Sequence, residues 1–148
     1  MSRVIVRTVL LGLLSFSLNA CAESKPPTSA VTGDSSQVSL GGQNLTLINV
    51  EGKCTVLKPD GARLATDLAW PCQFSKDRSG QARVETFKSS PIVLLTHDEH
   101  VAESSIDCAQ TAQALRLRNG VFEVSSVNQA GMCTRGHDQK LFTAMFDW

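Results

Sequence analysis

The side chains best suited to chemistry form one short run, His97-Asp98-Glu99-His100, with Glu103 and Asp107 downstream. Imidazole and carboxylate together suit zinc or nickel. On a helix, His97 and His100 would share a face; on a strand they would point to opposite faces. The run lacks the His-Glu-x-x-His spacing by which one helix presents two zinc ligands with a base between them. His97 and His100 are therefore candidate ligands on a metal-binding reading, and the plainer reading is a solvated polar loop after a buried strand.

Nucleophiles are less legible. Serines are plentiful, but no Gly-x-Ser-x-Gly elbow is present, so any hydrolytic site has to be assembled by the fold. Phosphate-loop and dinucleotide glycine patterns are absent, and no cofactor is expected. Gly41-Gly42 reads as a turn or bulge ahead of a strand that starts at Leu45.

The first residues set the compartment. Arg3 and Arg7 precede an uncharged apolar run over 8–18, too short to cross a bilayer as a stable helix, which needs about 20 apolar residues. A basic start, a short apolar core and small residues at the exit describe a secretory signal peptide over 1–20. The exit, Leu18-Asn19-Ala20-Cys21, resembles the lipobox of bacterial lipoproteins. That resemblance implies cleavage before Cys21, lipid on Cys21 and attachment to a membrane. It departs from the usual pattern at Asn19, which is more polar than the common residue and is expected to slow processing. Ala22, not aspartate, follows the cysteine, so in a Gram-negative cell the resemblance implies the outer membrane. Each buried methylene adds about 0.8 kcal/mol, so several acyl chains would make attachment effectively permanent.

Residues 21–37 are rich in Ser, Thr and Pro, with Val31 the one large apolar side chain. They cannot bury enough apolar surface to offset the entropy of ordering and read as a flexible tether. As a random coil it would hold the domain on the order of 20 Å from the lipid. Residues 38–148 are about the common size of one domain. The chain carries 14 cations and 14 acids; loss of Arg3 and Arg7 leaves twelve cations against fourteen acids. Near-neutral charge without a Lys/Arg block disfavours a nucleic-acid surface and an anionic-lipid surface. Six Phe, two Trp and no Tyr leave little for stacking on sugars, and Trp70 and Trp148 both read as core.

Beyond Cys21 lie Cys54, Cys72, Cys108 and Cys133. An even number in an exported chain suggests disulfides, and four cysteines allow three connectivities. No Cys-x-x-Cys supports a redox centre or zinc knuckle. Patterning selects one pairing. Asn119-Gly120 between two alternating runs is a type I′ hairpin signal. A two-residue loop pairs Arg118 with Val121, Leu117 with Phe122, Arg116 with Glu123 and Leu115 with Val124, apolar on one face and charge-matched on the other. Extended outward, this register sets Cys108 opposite Gly131, close to Cys133, which gives Cys108–Cys133. By elimination Cys54 pairs with Cys72 around the turn Lys58-Pro59-Asp60-Gly61. Either bridge is worth about 3 kcal/mol in the loop-entropy model. A Cys–His nucleophile built from Cys133 and nearby His137-Asp138 is disfavoured, because pairing consumes the thiol.

The elements that must position these residues are mostly strands, predicted over 45–50, 53–58, 63–68, 72–75, 81–88 and 92–96. Ile92-Val93-Leu94-Leu95 is apolar on both faces and so predicts an inner strand. Short helices are predicted over 99–112 and near 141–146, the second capped by Asp138. The fold class is mainly β: a small, disulfide-stabilised antiparallel sandwich or partly open barrel, with one or two short helices. The run Gly136-His-Asp138-Gln-Lys140-Leu-Phe142 is similar to the tails of small uncharacterised exported proteobacterial proteins, a resemblance that implies no activity. Lipoprotein lysozyme inhibitors share the layout of a small β domain on a lipid tether, an analogy of architecture only. The expected function is a non-enzymatic binding or envelope-accessory module, inhibitor- or immunity-like, with an unknown envelope protein as partner. Metal binding through His97 and His100 and a hydrolase site hidden in the fold are the alternatives.

Overall fold

A computed structural model of the protein describes residues 35–100, 108–130, 133 and 137–148. The expected signal peptide, Cys21 and most of the tether lie outside the described residues, as do Glu103 and Asp107. Among the described residues, no helix is long and apolar enough to cross a membrane.

Among the described residues, ten strands form two antiparallel sheets. The first sheet runs β1 (Gln37–Leu40), β2 (Gln43–Val50), β3 (Lys53–Leu57) and β4 (Arg63–Ala69) in simple meander order. The second is built on two long strands, β7 (Ser90–His100) and β8 (Cys108–Arg118), paired from Ile92 opposite Arg116 to His100 opposite Cys108. Two short strands, β5 (Gln73–Phe74) and β6 (Val84–Phe87), share the free edge of β7. On the free edge of β8 lie β9 (Val121–Val124) and β10 (Asn128–Ala130). Neither sheet closes on itself, so the observed fold is mainly β with an open arrangement of sheets.

Strand alternation explains both cores. The inner face of β7 sends Val93 and Leu95 into a cluster with Leu40, Leu45, Leu47, Val56, Leu68, Phe74 and Leu115, drawn from both sheets. Its outer face sends Ile92 and Leu94 against Ala112, Ala114 and Phe142, the last from helix α1 (Gln139–Ala144). The Ile92–Leu95 run is apolar on both faces because a sheet covers one side and a helix the other. Gln113, on the inner face, donates to Asp67 Oδ2 and accepts from the Asp67 N–H, so a buried amide joins β8 to β4.

The β8–β9 hairpin has the predicted register, Arg118 opposite Val121 through Leu115 opposite Val124. The outward extension does not hold. Gln110 faces Ala130, one residue beyond the position an unbroken register assigns, Gln129. The slip sits at Ser125, whose Oγ accepts the Ala114 N–H at 2.8 Å, so a side chain takes over a ladder bond. The disulfides are nonetheless Cys54–Cys72 and Cys108–Cys133, with Cα atoms 6.0 and 5.4 Å apart.

Two further expectations are corrected. The helix over 99–112 is contradicted where residues are described: Glu99, His100 and 108–112 are strand, because β7 and β8 satisfy each other's backbone groups along their whole pairing. Trp70 and Trp148 are half-buried, packing against the edges of the inner and outer clusters. Helix α1 has the expected cap, with Asp138 Oδ1 accepting the Lys140 N–H at 2.9 Å. Gly41 and Gly42 form the β1–β2 turn with positive φ; a Cβ at Gly41 would also collide with the Leu117 side chain.

Candidate functional site

The outer face of the β7–β8 pair changes character along its length. At one end Ile92 sits opposite Arg116; the middle carries Leu94 and Thr96 against Ala114 and Ala112; the far end carries Asp98 opposite Gln110 and His100 opposite Cys108. Helix α1 covers the apolar middle. The polar far end stays uncovered by α1 and forms the wall of an open cleft of about 780 Å³, a size suited to a small molecule or a protruding side chain. The opposite lip is the turn that follows β5, with Lys76, Asp77, Arg78 and Gly80; Cys133 and His137 close the side.

At the centre of this wall is His137. Its Nδ1 lies 2.9 Å from Ser75 Oγ, just past β5, and its Nε2 lies 2.7 Å from Gln110 Oε1 on β8. Gln110 Nε2 in turn donates to Asp98 Oδ1 at 2.7 Å, and Gln73 Nε2 donates to Asp98 Oδ2 at 3.2 Å. The Arg83 guanidinium donates to the His137 carbonyl at 2.7 Å, pairs with Glu85, and lies 5.1 Å over the Phe142 ring. Three distant stretches of sequence therefore meet at one imidazole.

The direction of each bond in this chain follows from Asp98. A carboxylate only accepts, so the Gln110 amide nitrogen must face it and Gln110 Oε1 must face His137. Nε2 of His137 then carries the proton and donates to Gln110. In the neutral ring Nδ1 is left as the acceptor, and the Ser75 hydroxyl donates to it. Burial holds the His137 pKa below its ordinary value; Asp98 opposes that shift and Arg83 reinforces it. The ring is thus held neutral in one tautomer, with its lone pair aimed at a serine.

His97 and His100 are not brought together. Both lie at the end of β7, three residues apart, and point to opposite faces. His97 Nδ1 is 2.7 Å from the Pro71 carbonyl oxygen, while His100 lines the cleft with Asp98. The predicted solvated loop is the end of a strand, ordered by its pairing with β8. Among the described residues, no group of three or more His, Cys, Asp or Glu side chains is placed to hold a metal ion.

Sequence reasoning singled out Asp98 as part of the acidic run and His137 as a neighbour of Cys133. It missed Ser75, Gln73 and Gln110. A usable signal existed for the placement of Asp98, because continuing the 92–96 strand by alternation puts Asp98 on the face of Leu94. Nothing local marks Ser75, which reaches His137 across 62 residues. Among the described residues, no buried side-chain nitrogen or oxygen lacks a hydrogen-bond partner. Comparison with protein-family models, curated proteins and solved structures returned no match, so function is argued from this geometry.

Proposed function

We propose that the protein is a lipoprotein of the cell envelope, anchored through lipid on Cys21, whose β-rich domain is a binding module that seats an envelope partner at the cleft beside His137. The observation that carries this reading is the construction of the cleft wall. Ser75, His137, Gln110, Asp98 and Gln73 hold one another in a continuous set of hydrogen bonds beside the Cys108–Cys133 bridge. A wall fixed in advance loses little conformational freedom when a partner docks, which is what favours tight recognition. The lip adds exposed charge of both signs, Lys76 and Arg78 with Asp77, suited to a polar protein surface. Two disulfides fit an oxidising compartment, which agrees with export and with the lipobox resemblance.

Two experiments test the two halves. Cells fed an alkyne palmitate analogue are expected to label the protein, and Cys21→Ala is expected to abolish labelling and release the domain from membranes. Labelling that survives Cys21→Ala would end the anchor reading. For the cleft, a photo-crosslinking amino acid at Arg78 is expected to give a discrete adduct in living cells, whereas the same group at Val121, at the other end of the sheet, gives none. Equal or absent adducts from both positions would contradict a binding role for the cleft.

A further inference from the structure

Ser75 stands where the hydrogen-bond chain ends and the cleft begins. Its hydroxyl donates to a neutral imidazole whose other nitrogen is held by Gln110 and, through it, by Asp98. A serine on a neutral base, with the base oriented by a third group, is the arrangement that activates a hydroxyl toward acyl carbon. Ser75 and His137 are only 6% and 9% exposed, yet both line the cleft, so each is held in its wall with a small surface turned to a molecule that enters. Lys76, next in sequence, and Arg78 line the same cleft and bring positive charge to its lip. Asp77 lines the lip as well, with its carboxylate accepting from the Ser79 N–H and hydroxyl and from the Gln81 N–H.

We propose that Ser75 is a nucleophile that takes the acyl group of small esters entering this cleft, with His137 as its base and Gln110 and Asp98 as positioning residues. The proposal goes beyond binding but rests on the same cleft being accessible. Ser75 Oγ bonds to the acyl carbon while its proton passes to His137 Nδ1. The imidazolium returns that proton to the leaving oxygen, the ester C–O bond breaks and the alcohol departs. Water then adds to the acyl-serine, giving a proton to His137, and Ser75 leaves with that proton. The sum is ester plus water to acid plus alcohol, with no oxidant or reductant. The cations at the lip favour acyl groups that themselves carry negative charge.

The test uses the full chain and a fluorophosphonate probe, which forms a stable adduct only with an activated serine. Intact mass and peptide mapping are expected to show one adduct, on Ser75. Ser75→Ala, which removes a single hydroxyl, is expected to lose it, and His137→Gln to slow labelling by about a hundredfold or more. The proposal is overturned by labelling of the folded chain no faster than of the denatured chain, by an adduct on another serine, or by wild-type rates in His137→Gln. If His137→Gln does not fold, mapping on the wild type alone decides. Crosslinking from Arg78 without any serine adduct would leave the binding reading standing and remove this one. A Ser75 adduct without crosslinking would do the reverse.

Discussion

The two ends of the outer β7–β8 face fasten the same C-terminal strap, residues 137–148, by different chemistry. At one end Arg116 lies over the rings of Phe146 and Trp148, 4.3 and 4.6 Å from their centroids, pairs with Glu123, and donates to the Asp147 carbonyl at 3.1 Å. At the other end His137 bonds Ser75 and Gln110, and Arg83 holds its carbonyl. Guanidinium keeps its charge at any ordinary pH and stacks on aromatic faces. Imidazole can gain or lose its charge, and burial holds this one below its ordinary pKa and so neutral at neutral pH. One fastening is permanent and closed over by rings; the other is adjustable and borders an open cleft. The difference separates a structural end from an end where chemistry has room.

Between the two fastenings the strap is held by burial, and breaking it there has the largest effect. Phe142 is fully buried against Ile92, Leu94, Ala112 and Ala114. Phe142→Ala is expected to cost about 3–5 kcal/mol, read as a lower urea midpoint. Arg116→Ala comes next, at about 2 kcal/mol, from lost stacking and lost pairing together. The figure stays below that for a fully buried ion pair because the Glu123 side chain is 38% exposed and rehydrates. Arg116→Lys keeps the charge but not the flat stack, and a midpoint between wild type and alanine is expected.

The histidine end is distinguished by pH. Its folded pKa lies below the ordinary 6.5, so as pH falls through about 6.5 the unfolded chain takes up the proton first and stability drops. The loss proceeds at no more than about 1.4 kcal/mol per pH unit and stops below the folded pKa. Urea midpoints at pH 7.5 and 5.5 are expected to differ in wild type by more than in His137→Gln; equal differences would show that another group carries the effect. The carboxylates of Asp60, lowered by the Ala62 N–H, and Asp77, lowered by the Ser79 hydroxyl, act in a separate window. Their contribution is lost only as pH falls below about 3.8. Smallest of all, Asp138→Ala removes the α1 cap and is expected to cost about 1 kcal/mol, measurable by thermal melting.

The two ends were also unequally legible in the sequence. Arg116 opposite Glu123 follows from one Asn-Gly turn and period-two alternation, because the partners are seven residues apart and a hairpin fixes their register. The same hairpin points to the Cys108–Cys133 pairing, even though the ladder slips at Ser125 before reaching Cys133. The sequence pattern predicts β7 only as far as Thr96, because His97, Asp98 and Glu99 are residues typical of loops. The long partner β8, not local propensity, keeps them extended. The His137 site lay beyond any such reading. Ser75, Asp98, Gln110 and His137 come from four segments whose meeting depends on how β5 joins the edge of β7 and how the strap returns across the sheet.

The protonation of His137 tests this reading most directly. Long-range ¹H–¹⁵N correlation spectra at pH 7 are expected to show a neutral ring with its proton on Nε2. The same spectra recorded on Ser75→Ala are expected to show the Nδ1 resonance moving as its hydroxyl donor is removed. A ring protonated on Nδ1, a charged imidazolium at pH 7, or an Nδ1 signal indifferent to Ser75→Ala would contradict the hydrogen-bond chain on which the cleft is built.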